Sequence, residues 1–133
     1  MIIQTDFYTI TPYKNLLFIE FFLSWDNRVA KKCIEEVCDL ASKLFQNKPW
    51  AILSNRKNWQ LNTPYAELFF TLESTNKEFV KSLTHSAIVT GKSNVNKWQI
   101  NKMIKDVRDY KVRVFDNIQE AQIWLASFGY HML

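Results

Sequence analysis

"AILSNRKNWQLNTPY", residues 51–65, opens as a buried strand and ends as the first turn of a helix. The apolar run "WAILS", residues 50–54, follows Pro49 and precedes a polar stretch, the pattern of a short strand covered on both faces. Thr63-Pro64 supplies an N-cap and a proline at the first helical position. Between strand and helix stand Asn55, Arg56, Lys57, Asn58 and Trp59, read as a polar loop. In α/β sheets the carboxyl ends of strands are where ligands gather, so this loop is the first candidate site.

Outward from it, strand and helix patterns alternate. Residues 6–13, "DFYTITPY", and 15–25, "NLLFIEFFLSW", read as two strands joined by a short turn, hence a hairpin. Asp26 or Asn27 caps a helix whose apolar stripe runs through Val29 or Ala30, Cys33, Ile34, Val37, Ala41, Leu44 and Phe45. Asn47, Lys48 and Pro49 end it. Past Thr63 a helix takes in Leu68, Phe69 and Leu72. A capping box at Thr75 and Glu78 restarts it for Phe79, Val80 and Leu83. "SAIVTG", residues 86–91, is a second buried strand, and residues 93–109 read as a helix bearing Trp98. "KVRVF", residues 111–115, alternates as the last strand. Asn117 and Glu120 cap a final helix that stops at Gly129. The order is β-β-α-β-α-β-α-β-α in a single domain spanning residues 1–133. After the hairpin such crossovers lay strands parallel, with helices covering the sheet.

Composition narrows the chemistry. A chain of 133 residues with 47% hydrophobic and 23% charged residues folds as an ordinary globular protein. Ten Phe, five Tyr and five Trp make a core of large side chains, with an apolar cavity or an interface as the other use. The net charge of +4 is not gathered into a basic run, so nucleic acid is not an expected partner. Two glycines cannot build a phosphate-cradling loop, which argues against classical nucleotide binding. The longest apolar run, "LLFIEFFL", is too short to span a bilayer, and the start lacks the pattern of a signal peptide. Cys33 and Cys38, five apart on one helix, are poorly placed for a disulfide, which fits a cytoplasmic location.

Neither catalytic nor metal chemistry finds a constellation. His85, read as lying just before a strand, falls at the end opposite Gly91, and His131 is near the C-terminus. The loop therefore lacks the base that nucleophilic catalysis needs. The cysteines and histidines have no metal-ligand spacing, so no metal and no cofactor are expected. Glu35, Glu36 and Asp39 fall among lysines on a solvated helix face. An enzyme is not expected. Recognition suits the loop better. Parallel strands would bring Asn55–Trp59 beside Gly91, Lys92 and Ser93, and helix N-termini at Thr63 and near Ser93 would point there. With Arg56, Lys57 and Lys92, that edge would favour an anionic group or an acidic patch.

The ending "KVRVFDNIQEAQIWL" carries a phenylalanine (Phe115), an Asp/Asn cap (Asp116, Asn117), then Glu120-Ala121 and Trp124-Leu125. With the element order and the strand 50–54 followed by a loop with Trp59, it resembles the SpoIIAA-like family of the STAS-type fold. The resemblance implies a mixed four- or five-stranded sheet covered by about four helices, and a non-enzymatic module that binds partner proteins. Regulatory members carry a phosphorylated Asp-Ser pair at the start of the helix after the third strand. Asn62-Thr63-Pro64 stands there instead, so that phosphoswitch does not carry over, and Thr63 is left as a cap. The expected partner is another protein or a second copy of the chain. The alternative is a carrier or sensor of a small amphipathic, lipid-like ligand in an apolar pocket near Phe69, Phe70 and Trp98.

Overall fold

The computed structural model of the chain describes residues 2–59, 81–91, 101 and 109–132. Its strands are β1 (Ile3–Gln4), β2 (Tyr8–Pro12), β3 (Leu16–Leu23), β4 (Trp50–Trp59), β5 (Leu83–Val89) and β6 (Lys111–Phe115). They form one sheet in simple sequence order. Six strands replace the four or five expected. β1, β2 and β3 pair antiparallel, and β3 to β6 pair parallel, so the sheet is mixed as expected. Two helices are described, α1 (Asn27–Phe45) and α2 (Ile118–Ala126). The helices expected after Thr63 and over residues 93–109 lie almost wholly outside the described residues. So do Thr63, Phe69, Phe70, Lys92, Ser93 and Trp98.

One strand more than expected, β1, lies ahead of the strand read at residues 6–13, which is β2. The Thr5 hydroxyl accepts the backbone N–H of Phe7 (3.1 Å) and of Tyr8 (3.0 Å), and turns the chain between β1 and β2. The hairpin that follows is as expected, with Tyr8 opposite Phe21 and Pro12 opposite Leu17.

β3 and β4 alternate between two cores. Leu17, Ile19, Phe21, Trp50 and Ile52 face one side, with Ala30, Cys33, Ile34 and Val37 of α1. Leu16, Ala51, Leu53, Ala87, Val89 and Phe115 face the other, with Ala121 and Leu125 of α2. Period-two alternation with both faces apolar is what a sheet sandwiched between helices requires. Each fully buried Leu or Ile contributes about 1.5–3 kcal/mol. Cys33 is buried, Cys38 half-buried, and neither is in a disulfide.

Asp26, in extended backbone, caps α1 by accepting the N–H of Val29 at 3.0 Å. Its carboxyl is held below the ordinary carboxylate range, chiefly by that N–H and then by the neighbouring Arg28. Gln46 and Asn47 end the helix in the left-handed region. The buried stripe takes Leu40 instead of the expected Leu44: the last turn directs Phe45 onto the Trp50 ring (5.4 Å) and leaves Leu44 exposed. At the other end of the chain, Asn117 caps α2 through the N–H of Glu120 at 2.9 Å. The turn after α2 closes as expected on Gly129, at φ +90, with Gly129 N–H to Ala126 C=O and Tyr130 N–H to Leu125 C=O.

Candidate functional site

β4 does not stop at Ser54. It continues to Trp59 because β3 is long enough to pair with it, Phe22 against Asn58 and Leu23 against Trp59, across an irregularity between Glu20 and Phe22. The stretch expected as a loop is therefore largely strand. A cross-strand ladder outweighed the strand-poor composition of "NRKN".

The consequences differ residue by residue. Arg56 is 1% exposed, so it is not the solvent-facing cation expected of it. Its guanidinium lies 4.6 Å over the Phe21 ring and 5.6 Å from Trp59, and its Nε donates to the Ser54 hydroxyl at 3.1 Å. A planar guanidinium can stack on aromatic faces where an ammonium would stay hydrated. Trp59 is 3% exposed, in edge contact with Phe21 at 5.0 Å and Trp25 at 5.2 Å. Phe21 stacks on Trp25 at 4.6 Å, and the Trp25 indole N–H is shared between the carbonyls of Phe7 and Phe22. Asn55 is buried too, its side-chain carbonyl accepting the Lys57 N–H at 3.2 Å.

Lys57 and Asn58 remain in solvent. They stand beside Leu23, 48% exposed, which reaches its place through a left-handed backbone (φ 59). The expected meeting of β4 with the end of β5 holds. Gly91, at φ +70, runs so close to Lys57 that a Cβ there would lie 3.1 Å from its Cγ. Of the described candidates, Lys57, Asn58 and Gly91 thus form one edge, while Asn55, Arg56 and Trp59 stiffen it from within.

Two polar groups were read differently in the sequence. Glu36, assigned to the solvated face of α1, accepts the Tyr8 hydroxyl. Burial first, and then that bond, push the Tyr8 phenol far above its ordinary value. His85 lies within β5, not before it, at the end away from Gly91. It stacks on Phe128 at 4.1 Å, meets Trp124 edge-on at 5.3 Å, and its Nδ1 is 2.8 Å from the Thr84 hydroxyl. Burial first, and then the nearby Lys111 charge, lower its pKa. No spacing rule could pair Tyr8 with Glu36, 28 positions apart, before the hairpin register was known. Among the described residues no metal-ligating group of three or more side chains comes together. No described helix is long and apolar enough to cross a membrane.

Among solved structures, an uncharacterized protein of the DUF3478 family from Shewanella loihica PV-4, described as having a SpoIIAA-like fold, superposes with a TM-score of 0.63. The match covers 92% of this chain and 98% of that one, at 14% identity. The fold is SpoIIAA-like. The match supports the resemblance read from the closing motif, and at that identity it speaks for the SpoIIAA-like architecture alone. No family model and no curated protein matches the chain.

Proposed function

We propose that this SpoIIAA-like chain is a non-enzymatic, cytoplasmic binding module that engages another protein through the carboxyl-terminal edge of its parallel strands. One observation carries the reading: Lys57 and Asn58 stand in solvent beside exposed Leu23, on a strand pinned by buried Arg56 and Trp59. An apolar residue flanked by a cation and an amide, on backbone that does not have to be ordered on contact, is a suitable surface for a partner with an acidic rim. Regulation by an Asp-Ser phosphoswitch is not part of the proposal, since Asn62-Thr63-Pro64 stands at that place.

A photo-crosslinking residue in place of Asn58 tests it in the host cell. The expected outcome is a discrete protein adduct, lost when Lys57→Glu is added. Identical adducts from the same probe placed at exposed Lys43, on the last turn of α1, would contradict it.

The carrier reading retains one supporting observation. A recess of about 330 Å³ beside the start of α1 has Phe7 and Val29 in its walls, with Lys32 and the paired Arg28 and Asp26 also lining it. Apolar walls with nearby cations suit an amphipathic anion. The pocket expected from sequence near Phe69, Phe70 and Trp98 lies outside the described residues.

A further inference from the structure

A different surface lies at the far edge of the sheet. β6 pairs with β5 and ends the strand order. The Phe115 carbonyl accepts the Thr90 N–H at 3.1 Å, so Phe115 turns its backbone polar groups toward β5. In a strand these groups alternate sides residue by residue, so Arg113 and Lys111 point the same way, while Val112 and Val114 present their N–H and C=O outward. No other described strand takes them up.

The side chains above that edge are cationic. Lys111 and Arg113 are exposed on the α2 face, with Lys111 Nζ 5.5 Å from the Phe128 ring centre and Arg113 Cζ 5.2 Å from that of Phe115. Neither is in an ion pair with a described residue. Alongside runs a groove of about 770 Å³, with Trp124 and the 71% exposed Ile123 in its wall. Cations on an edge strand also keep edges of like molecules apart. Here Arg113 also lines a groove with an apolar wall, and the Val112 and Val114 backbone groups beside it are taken up by no other described strand, a combination that edge protection alone does not require.

We propose that the outer edge of β6 takes an extended acidic peptide as a seventh strand, its carboxylates on Lys111 and Arg113 and an apolar side chain against Ile123. Main-chain bonds to Val112 and Val114 would supply affinity, and alternate side chains the selectivity. Charge decides the occupant. A second copy pairing antiparallel about Val112 or Arg113 would set Lys111 or Arg113 directly opposite a like charge, whereas acidic residues at those places are attracted. Asp116 and Glu120 line the other end of the groove, so the peptide's carboxylates belong at the Lys111 end.

The probe is the capped peptide Glu-Thr-Glu-Thr-Val (the Glu-Val peptide), whose two Glu and one Val share a face in a strand, with Lys-Thr-Lys-Thr-Val (the Lys-Val peptide) as control, titrated into the isotopically labelled full chain. The Glu-Val peptide is expected to shift the amide resonances of residues 111–115 and to slow hydrogen exchange at Val112 and Val114. Arg113→Glu should weaken it about tenfold. Val112→Pro, which removes an outward N–H and no bond to β5, should abolish binding while circular dichroism stays that of the parent. Equal binding of the Lys-Val peptide, or no response of β6 to the Glu-Val peptide, would overturn the proposal. So would the same shifts on raising the chain's own concentration, which would assign the edge to a second copy.

Discussion

At the scale of single residues, neighbours on β4 have opposite environments. Arg56 is packed against Phe21 and hydrogen-bonded to Ser54, while Lys57 is in solvent. Arg56→Glu puts an anion where a stacked guanidinium was and should cost about 3 kcal/mol or more. Lys57→Glu should stay within about 0.5 kcal/mol of the parent. Urea unfolding of the two variants distinguishes them, and equal effects would mean that Arg56 is not buried as described. The contrast also dictates how the surface is probed, because a variant reversing both charges would confound folding with binding. His85 makes a pH prediction. Its folded pKa lies below the ordinary 6.5, so the unfolded chain binds its proton more readily. The stability this histidine contributes is complete above about 6.5 and is lost as pH falls from there through the folded value. Urea midpoints measured across that window should fall with pH, and His85→Phe should flatten the dependence.

At the scale of elements, the ends of α2 are set by two residues. Asn117→Ala removes the acceptor for the Glu120 N–H and should cost about 1 kcal/mol. Gly129→Ala meets no neighbouring atom within 4 Å but must hold φ +90, so it too should cost about 1 kcal/mol, through backbone strain alone. Thermal melts of both variants check these values, and a Gly129→Ala protein as stable as the parent would contradict the left-handed turn. These caps were legible in the sequence because their chemistry is local: a short polar side chain three residues before the N–H it serves, a glycine where the chain must turn left-handed. The hairpin, α1 and the parallel strands were legible for the same reason, through periodicity. β4 was not. Its second half has the composition of a loop, and what makes it strand is Phe22 and Leu23 on the neighbouring strand. Nothing in "NRKNW" states that Arg56 will find Phe21. β1 was missed because two residues, Ile3 and Gln4, are too short for periodicity, and the turn at Thr5 rests on one hydroxyl.

At the scale of the whole molecule, the sheet carries a core on each face. Leu17 and Leu53 are fully buried on opposite faces, so Leu17→Ala and Leu53→Ala should each cost about 2–5 kcal/mol in denaturant unfolding. A negligible cost for either would mean that its face is not packed. With both faces of the sheet covered, the surfaces proposed for recognition are its margins: the strand ends around Lys57 and the outer edge at β6. Whether a protein binds at the Lys57 edge is read out by native mass spectrometry of the chain purified gently from its host, followed by denaturing mass spectrometry of the same sample, for the parent and Lys57→Glu. The expected result is an added polypeptide mass that survives the native spray of the parent, leaves on denaturation, and is missing from Lys57→Glu. A small-molecule mass held equally by both, or the bare chain in both, would contradict it.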